Sequence, residues 1–514
     1  MPVIPVLTPA QAQTWDRHAE AEGCPLRALM EHAGRAVAQL TLERFGAVAG
    51  QGVLVACGPG HNGGDGWVAA RSLHSLGVPV WVVESEAPRA PLTLDVRAAA
   101  LADGVRSLAA DGPWPGVGLV IDALLGTGAT GAPRDATATL LRRIADLDSP
   151  IIAVDGPTGL DLGNGVSHGA LPAVLTVTFG GARRGQLLAR DEVGDLVVVD
   201  IGLPAADPSW PRLVDARWAA QRLAPLPARS HKGTRGRVVI VGGQEGMTGA
   251  ARLAARAAFA TGAGLVHVVA PAGSVEALRT AEPDLQLLVH AFEAPVSPEL
   301  RALLERADVV VIGPGLGRGA SRRDFVLAVL GAATRSVVDA DALVALRDAH
   351  AELNEMSAGH QLVLTPHIGE FRTLFPSCSH ALETDPWSAV QEAQSQVGGT
   401  VLLKGVPTVI AAQDGPLLTV AAGNPGLATG GSGDVLSGIL GTLLAQLDDP
   451  RDAAALAAQA LGEAADHAAR RTTARAMRPM DVVHSLPEVW RRWTRGAASP
   501  RAPILTELPA PVRL

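Results

Sequence analysis

The chain predicts an α/β protein of two domains, in each of which a mainly parallel sheet is covered by helices on both faces. Three observations carry this. Short unbroken runs of β-branched and aliphatic residues alternate with stretches of helical apolar spacing. The runs end in glycine-rich or acidic turns from which a helix can start. The length, 514 residues, exceeds one ordinary core, and prolines at 204, 208, 211, 225 and 227 break the middle of the chain.

Within residues 10–45, Leu26, Leu29, Met30, Ala33, Val37 and Leu40 fall at helical spacing, so an opening helix pair is expected. Val53–Ala56 reads as a buried strand, the loop Gly58–Gly66 (GPGHNGGDG) follows, and residues 67–76 return to helical spacing. A second strand covers Val78–Val83, and Leu119–Ile121 and Ile151–Val154 are strands that stop at Asp122 and Asp155. Ligands of a parallel sheet collect beyond the carboxyl ends of its strands, so the 58–66 loop, Asp122 and Asp155 are expected along one edge.

The domain boundary is expected near residue 215. Beyond it come strand Arg237–Val241, the Gly242-Gly243 loop and an alanine-rich helix over Thr248–Thr261. Strand-then-loop units follow at Val309–Ile312 with GPGLG, Val337–Val338 with Asp339-Ala340-Asp341, Leu362–Leu364 with TPHIGEF, and Val401–Leu403 with Lys404-Gly405. In GNPGLATGGSGDVLSGILG, Gly430–Asp434 is a glycine-rich turn, and Val435, Leu436, Ile439, Leu440, Leu443, Leu444 and Leu447 form a helical stripe after it. Amides at such a start have no intrahelical partner and lie at the positive end of the helix dipole, which suits a phosphate or a developing anion. The dipole is expected to lower the pKa of Asp434 and keep it ionised, as a base that takes a proton from an attacking hydroxyl must be. Residues 496–514 are Pro/Ala-rich without periodicity and predict a loose tail.

Basic and acidic residues number 43 and 51, a net charge of −8 with no long basic run, which gives no electrostatic footprint for nucleic acid or an anionic membrane. Small molecules are the expected partners. Cys24, Cys57 and Cys378 are odd in number and far apart, so neither a disulfide framework nor a zinc site is expected, in keeping with a reducing cytosol. The segment MPVIPVLTPAQAQTW lacks a basic n-region, and no apolar run reaches spanning length, so a soluble, unexported, cytoplasmic protein is expected.

Singly, the motifs leave alternatives open. Gly58, Gly60 and Gly63 satisfy G-x-G-x-x-G, and Glu84 ends the next strand about twenty residues on, as a dinucleotide site requires. Asn62 and Asp65 nevertheless place an amide and a carboxylate where a pyrophosphate would lie, which fits some other substrate loop equally well. Asp122 and Asp155 either form turns or, with Asn62, ligate a cation through oxygen or move a proton. Lys404 is either solvated or reaches a nucleotide. Asp339 and Asp341 can cap a helix, and His367 with Glu370 serves phosphate or magnesium or merely a surface turn.

In order, KGTRGRVVIVGG, TGAARLAARAAFATGAGLVHV, IGPGLG, VVDADAL, TPHIGEF, LLKGVPTVIA and GNPGLATGGSGDVLSGIL, over residues 220–490, resemble the ADP- or ATP-dependent NAD(P)H-hydrate dehydratases of the ribokinase-like superfamily. LMEHAGRAVA, GPGHNGGDGWVAA, IDALLGTG, VDGPTGLD and VVVDIGLP, over residues 8–210, resemble NAD(P)H-hydrate epimerases. Their union in one chain is similar to the bifunctional nicotinamide-nucleotide repair enzymes. The resemblance implies a Rossmann-like three-layer αβα epimerase domain over 1–215 and a ribokinase-like α/β dehydratase domain over 216–495.

It also implies chemistry. R and S hydrates of NADH and NADPH are interconverted in the first domain. In the second, the hydroxyl of the S form attacks the terminal phosphate of ADP or ATP, with Mg2+, and the ester eliminates to restore the dihydronicotinamide. Asp434 matches the family's base and substrate contact. Lys404, Gly405, Val406, Pro407, Thr408 and Gly433 match nucleotide-binding positions, and Ala250, Gly317 and His367 match substrate-binding ones. In the first domain His61, Asn62, Gly63, Gly64, Asp65 and the run Gly126, Thr127, Gly128, Ala129, Thr130, Gly131, Ala132 match substrate loops. Asp155 matches the substrate-binding acid nearest the chemistry, and Asn62, Asp122 and Thr158 match potassium ligands.

Five positions depart from the family pattern: Thr158 for serine, Arg183 for lysine, Met247 for tyrosine, Ala251 for proline and Ser432 for threonine. Arginine does not give up its proton, so acid/base work at 183 is in question. A homo-oligomer without nucleic acid or membrane partners is the expected assembly. The alternative is a ribokinase-like small-molecule kinase joined to a non-catalytic ligand-binding domain, which would accumulate a stable phosphorylated product.

Overall fold

The computed structural model describes residues 4–223, 225–496 and 505–512. The chain forms two compact units that divide between Trp210 and Pro211, and residues 505–510 return to the first.

The first unit runs β1 (Val6–Leu7), α1 (Pro9–Ala21), α2 (Leu26–Ala49), β2 (Val53–Cys57), α3 (His61–Ser75), β3 (Val80–Glu84), α4 (Pro91–Ala102), β4 (Arg106–Leu108), β5 (Leu119–Ala123), α5 (Asp135–Ala145), β6 (Ile151–Val154), β7 (Leu175–Phe179), β8 (Ala182–Arg183), α6 (Arg184–Leu188), α7 (Arg190–Val193) and β9 (Asp195–Val199). Alternate residues of β2 face opposite cores. Val53, Val55 and Cys57 pack with Val37, Val68 and Leu73 of α2 and α3, while Leu54 and Ala56 pack with Leu140 and Ile144 of α5. The unbroken apolar strands are thus explained by a sheet covered on both faces.

Two expectations shift. The 58–66 segment is mostly helix, because α3 begins at His61 and carries Asn62 and Asp65 in its first turns. Its glycines are poor helix formers, and tight packing against the sheet overrides that propensity. Asp122 lies inside β5 rather than after it.

The tail is also corrected in part. Residues 497–504 and 513–514 lie outside the described residues, but Leu505–Leu508 is a strand, β20, antiparallel to β9. The eight-stranded order is β20-β9-β7-β6-β5-β2-β3-β4, otherwise parallel. Polar clamps fix β20: Arg190 donates to Leu508 O at 3.1 Å and Pro509 O at 2.8 Å, Ala510 N donates to Asp195 at 2.6 Å, and Arg44 pairs with Glu507 at 2.7 Å. A sequence scan misses this because the pairing partner is remote and the strand is short. Truncation after residue 496 is expected to unpair the β9 edge and expose Leu508's contact surface, costing roughly 2 kcal/mol and lowering the first unit's melting point by ~5 °C. Calorimetry on the truncated chain, with an unchanged first transition as the contrary result, decides this.

The second unit runs β10 (Arg212–Val214), α8 (Ala216–Arg222), β11 (Arg237–Val241), α9 (Thr248–Thr261), β12 (Leu265–Ala270), α10 (Ala272–Ala281), β13 (Gln286–Val289), α11 (Pro298–Glu305), β14 (Val309–Ile312), α12 (Arg322–Gly331), β15 (Arg335–Val338), α13 (Ala340–Ala345), α14 (His350–Ser357), β16 (Gln361–Leu364), α15 (Ile368–Leu374), α16 (Pro386–Val397), β17 (Thr400–Leu403), β18 (Thr408–Ala411), β19 (Leu418–Val420), α17 (Ser432–Gln446), α18 (Pro450–Thr472) and α19 (Pro479–Gly496). Its ten strands order β10-β19-β18-β17-β16-β15-β14-β11-β12-β13, parallel except where β18 runs against β17 and β19.

The helix opened by the glycine-rich turn is the centre of this unit. Most of α17 is buried, and it lies close against both α9 and the sheet. A Cβ at Gly438 would stand 2.0 Å from Ala254 O, and one at Gly441 2.5 Å from Val311 Cγ2, so both contacts need glycine. The many alanines of α9 and α18 serve the same close approach. Among the described residues no helix is long and apolar enough to cross a membrane.

Candidate active sites

In the first unit the expected edge forms a cavity of about 820 Å3. His61, Asn62 and Asp65 of α3, Gly126–Ala129, Asp155 and Arg183 line it, whereas Gly63, Gly64, Asp122, Thr130–Ala132 and Thr158 do not. The dinucleotide reading of the first loop loses its support. A Cβ at Gly58 would lie 1.8 Å from Leu124 O and one at Gly63 1.9 Å from Gly58 O, so these glycines are required by the turn's own packing. Glu84 is held by Arg97 through two hydrogen bonds of 2.8 and 3.0 Å.

Asp155 occupies the left-handed region, φ 64°, an uncommon conformation for a non-glycine residue and one typical of functional sites. Its surroundings hold it there. Thr127 donates to Oδ2 from N (2.7 Å) and Oγ1 (2.5 Å), Thr178 Oγ1 donates to Oδ1 at 3.2 Å, and Gln186 donates to its carbonyl. Arg183 pairs with Oδ1 at 3.3 Å and donates to Thr127 Oγ1 at 2.9 Å. The arginine in the expected lysine position is therefore a buried, permanently charged counter-ion of Asp155.

Asp122 is buried and accepts from Thr158 N (2.8 Å), Thr158 Oγ1 (2.7 Å) and Leu124 N (3.2 Å). Burial pushes its carboxyl up, and those hydrogen bonds oppose it. Among the described residues no cation pairs with it. Asn62 stands beside Asp155, for a Cβ at Gly126 would meet both Asp155 Oδ2 (2.9 Å) and Asn62 Oδ1 (3.1 Å). Its amide nitrogen is buried without a partner.

The sequence reading missed one wall of this cavity. Gln13, Asp16, Arg17 and Glu20 of α1 line it. A capping box between Thr8 and Gln11 starts α1, and Ala12, Trp15 and Ala19 are its buried face. The polar residues beside that face recur at helical spacing, the one signal that could have found them.

In the second unit, the ends of β15, β16 and β17 converge on the start of α17. Lys404, just after β17, reaches Asp339 at 2.7 Å and Glu370 at 3.6 Å. Burial would lower its pKa, but those two carboxylates outweigh it and hold the ammonium above its ordinary value. Ser437 of α17 donates to the other oxygen of Asp339 at 2.7 Å. A Cβ at Gly433 would lie 3.4 Å from Lys404 Nζ, so the glycine keeps the helix start open beside the ammonium. His367 caps α15, accepting from Gly369 N at 2.9 Å, and Glu370 accepts from His367 N at 2.9 Å and faces Lys404. Gly317 N donates to Asp341 at 2.9 Å, which fixes the GPGLG loop. Gly405 and Val406 are exposed, and Met247 is an exposed thioether at the start of α9.

Asp434 lies in the first turn of α17 with no hydrogen bond or ion pair among the described residues. The expectation that the dipole lowers its pKa is overturned. Burial, and then the negative charge of Asp339, raise it to about 7, with Lys404 opposing. Loss of water around the carboxyl, joined by a carboxylate brought near from another strand, outweighs the partial charge of the helix end. The result is a carboxyl poised close to neutrality, where a side chain can exchange a proton.

Residues 238–488 match the family described as NAD(P)H-hydrate dehydratase, and residues 26–185 match the YjeF-related protein N-terminus. The chain is 38% identical over 480 residues to the bifunctional NAD(P)H-hydrate repair enzyme Nnr of Escherichia coli (strain K12), covering 92% of this chain and 91% of that protein. It is 36% identical over 511 residues to the protein of the same name from Pyrobaculum aerophilum, covering 95% and 98%. A Bacillus subtilis ADP/ATP-dependent NAD(P)H-hydrate dehydratase co-crystallized with ATP/Mg2+ is similar at 26% identity and a TM-score of 0.48, over 54% of this chain and 97% of that one. With both units matched along the length of its relatives, the chain belongs to the family of bifunctional NAD(P)H-hydrate repair enzymes.

Proposed function

We propose that the first unit interconverts the R and S hydrates of NADH and NADPH, and that the second dehydrates the S form at the expense of ADP or ATP. The observation that carries the second half is the unpartnered Asp434, with a pKa of about 7, at a glycine-rich helix start beside Lys404. Asp434 takes the proton of the substrate hydroxyl as that oxygen attacks the terminal phosphorus. Backbone amides at the start of α17, with Lys404, hold the phosphate charge. Phosphorylation turns a poor leaving group into a good one, and elimination then restores the ring double bond.

Magnesium fits as an ion delivered on the nucleotide. Asp339 and Glu370 are occupied by Lys404, and among the described residues no group of three His, Cys, Asp or Glu side chains can cage a metal. In the first unit Asn62, Asp122 and Thr158 suit potassium: one buried carboxylate without a cation, a hydroxyl, and an amide whose nitrogen is orphaned, all with oxygen to offer. Potassium there would neutralise Asp122 and hold the loop that carries Thr127. The segments 1–215 and 216–495 are assigned the two activities, in a cytoplasmic homo-oligomer that needs no nucleic acid or membrane.

The test is to incubate the chain with mixed hydrates, magnesium and ADP or ATP in turn, and follow near-ultraviolet absorbance and phosphate. Full recovery of dihydronicotinamide with stoichiometric phosphate is expected. A stable phosphorylated product instead would establish a small-molecule kinase.

A further inference from the structure

We propose that Asp16 is the proton-exchanging acid of the first unit, acting on the carbon whose configuration is inverted while Asp155 serves as a fixed negative charge. This rests on the epimerase reading above. Both oxygens of Asp155 are already engaged, Oδ2 by two donors of Thr127 and Oδ1 by Thr178 and Arg183. A proton arriving there would displace a donor and leave a buried guanidinium without its partner. Such a carboxylate is built to stabilise a cation rather than to exchange protons.

Asp16 is differently placed. It lines the same cavity, opens to the solvent within it, and has no hydrogen-bond or ion-pair partner among the described residues. Its helix is firmly seated: Trp15 is buried, donates from Nε1 to Pro204 O at 3.2 Å, and packs edge-on against Trp210 at 5.7 Å. That seating turns Asp16 toward the cavity. Its carboxyl is pushed above the ordinary range, first by loss of water around it and also by Asp155, while Arg183 and His61 pull the other way. Arg17 and Glu20 on its own helix and Asp65 on α3 complete the charged groups of this wall. Asp65 is the rival acid, also unpartnered among the described residues and pushed well above its ordinary range by burial and then by Asp155 and Asp16, but it is the less exposed of the two. Asp16, being open to cavity solvent, can release and recover a proton.

The hydrate is formed by adding water across an enamine, which places the hydroxyl on the carbon bonded to the ring nitrogen. Asp16 gives its proton to that hydroxyl, the C–O bond breaks, and water leaves as the nitrogen lone pair forms a C=N bond. The resulting cation faces the Asp155 carboxylate. Water then adds to the other face, the C=N pair returns to nitrogen, the added water's extra proton passes to cavity solvent, and Asp16 recovers a proton from that solvent. One water leaves and one enters, no electrons are exchanged, and Asp16 ends as it began.

Purified R hydrate should be given to the full-length wild type and to the Asp16→Asn and Asp16→Glu variants, with the two epimers resolved by liquid chromatography. Asp16→Asn is expected to lose on the order of a hundredfold in epimerisation kcat with little change in KM. Because the acid must start protonated, wild-type activity falls as pH rises through the Asp16 pKa; this alkaline limb disappears in the Asn variant and is shifted but present in the Glu variant. Dehydration of S hydrate, the second unit's work, stays at the wild-type rate and reports an intact chain. Near-normal kcat in Asp16→Asn, or a loss confined to KM, overturns the proposal. If Asp16→Asn does not fold, an unshifted alkaline limb in Asp16→Glu overturns it instead. A wild type that leaves R hydrate unconverted would count against the epimerase reading itself.

Discussion

Asp434→Asn is expected to bind ADP or ATP as the wild type does and to dehydrate S hydrate more slowly by on the order of a hundredfold or more. Two features make this the largest single effect in the second unit. The side chain has no structural hydrogen bond to lose among the described residues, so the substitution is close to isosteric and leaves the α17 start intact. In the reading proposed above, nucleotide affinity rests on backbone amides and Lys404, which the change does not touch. Calorimetric binding together with turnover separates the two quantities, and near-normal turnover would remove Asp434 from the mechanism.

The same residue sets a pH dependence. A base must be ionised, so activity of the free enzyme falls with an acid limb near pH 7, the value to which burial and Asp339 raise Asp434. Asp339→Asn removes one of those raising charges and also frees Lys404, which opposes them, so the limb should move to lower pH. A limb that stays put or moves upward would mean that another group controls it.

Asp155→Asn should abolish conversion of R hydrate while S hydrate is still repaired, so a racemic mixture stops at about half recovery, less spontaneous epimerisation. Asparagine is the informative replacement because it tolerates the left-handed backbone at φ 64°, where alanine adds strain. Either change leaves the Arg183 guanidinium buried without its carboxylate, a cost on the order of 3–5 kcal/mol. A thermal melt must therefore accompany the assay. Complete recovery at the wild-type rate would make Asp155 a turn residue only, and loss of both activities would indicate unfolding.

What could be read from the residues alone follows the range of the physics involved. β-branched runs such as Val53–Ala56 and Ile151–Val154, and the glycine-rich start of α17, are local patterns, and each is where it was expected. The helix at His61 was hidden because its propensity is poor and only tertiary packing forms it. The pKa of Asp434 departs from the local expectation because the burial that raises it, and the Asp339 charge that adds to it, are supplied by segments remote in sequence and near in space. Asp16 is legible only in part: its helical spacing with Gln13, Arg17 and Glu20 marks a polar face, but spacing does not say whether that face meets bulk solvent or a cavity.

The position of β20 has a consequence for how the protein is made. Its partner β9 ends at Val199, and Leu505 is synthesised only after the whole second unit. At ~5–20 residues per second, that interval of roughly 300 residues lasts about 15–60 s. Throughout it, the nascent first unit carries β9 as an open edge of unpaired amides and carbonyls, the kind of template on which neighbouring chains on one polysome can pair. Synthesis of residues 505–508, rather than completion of the strands up to Val199, is the event that lets the first unit close its sheet.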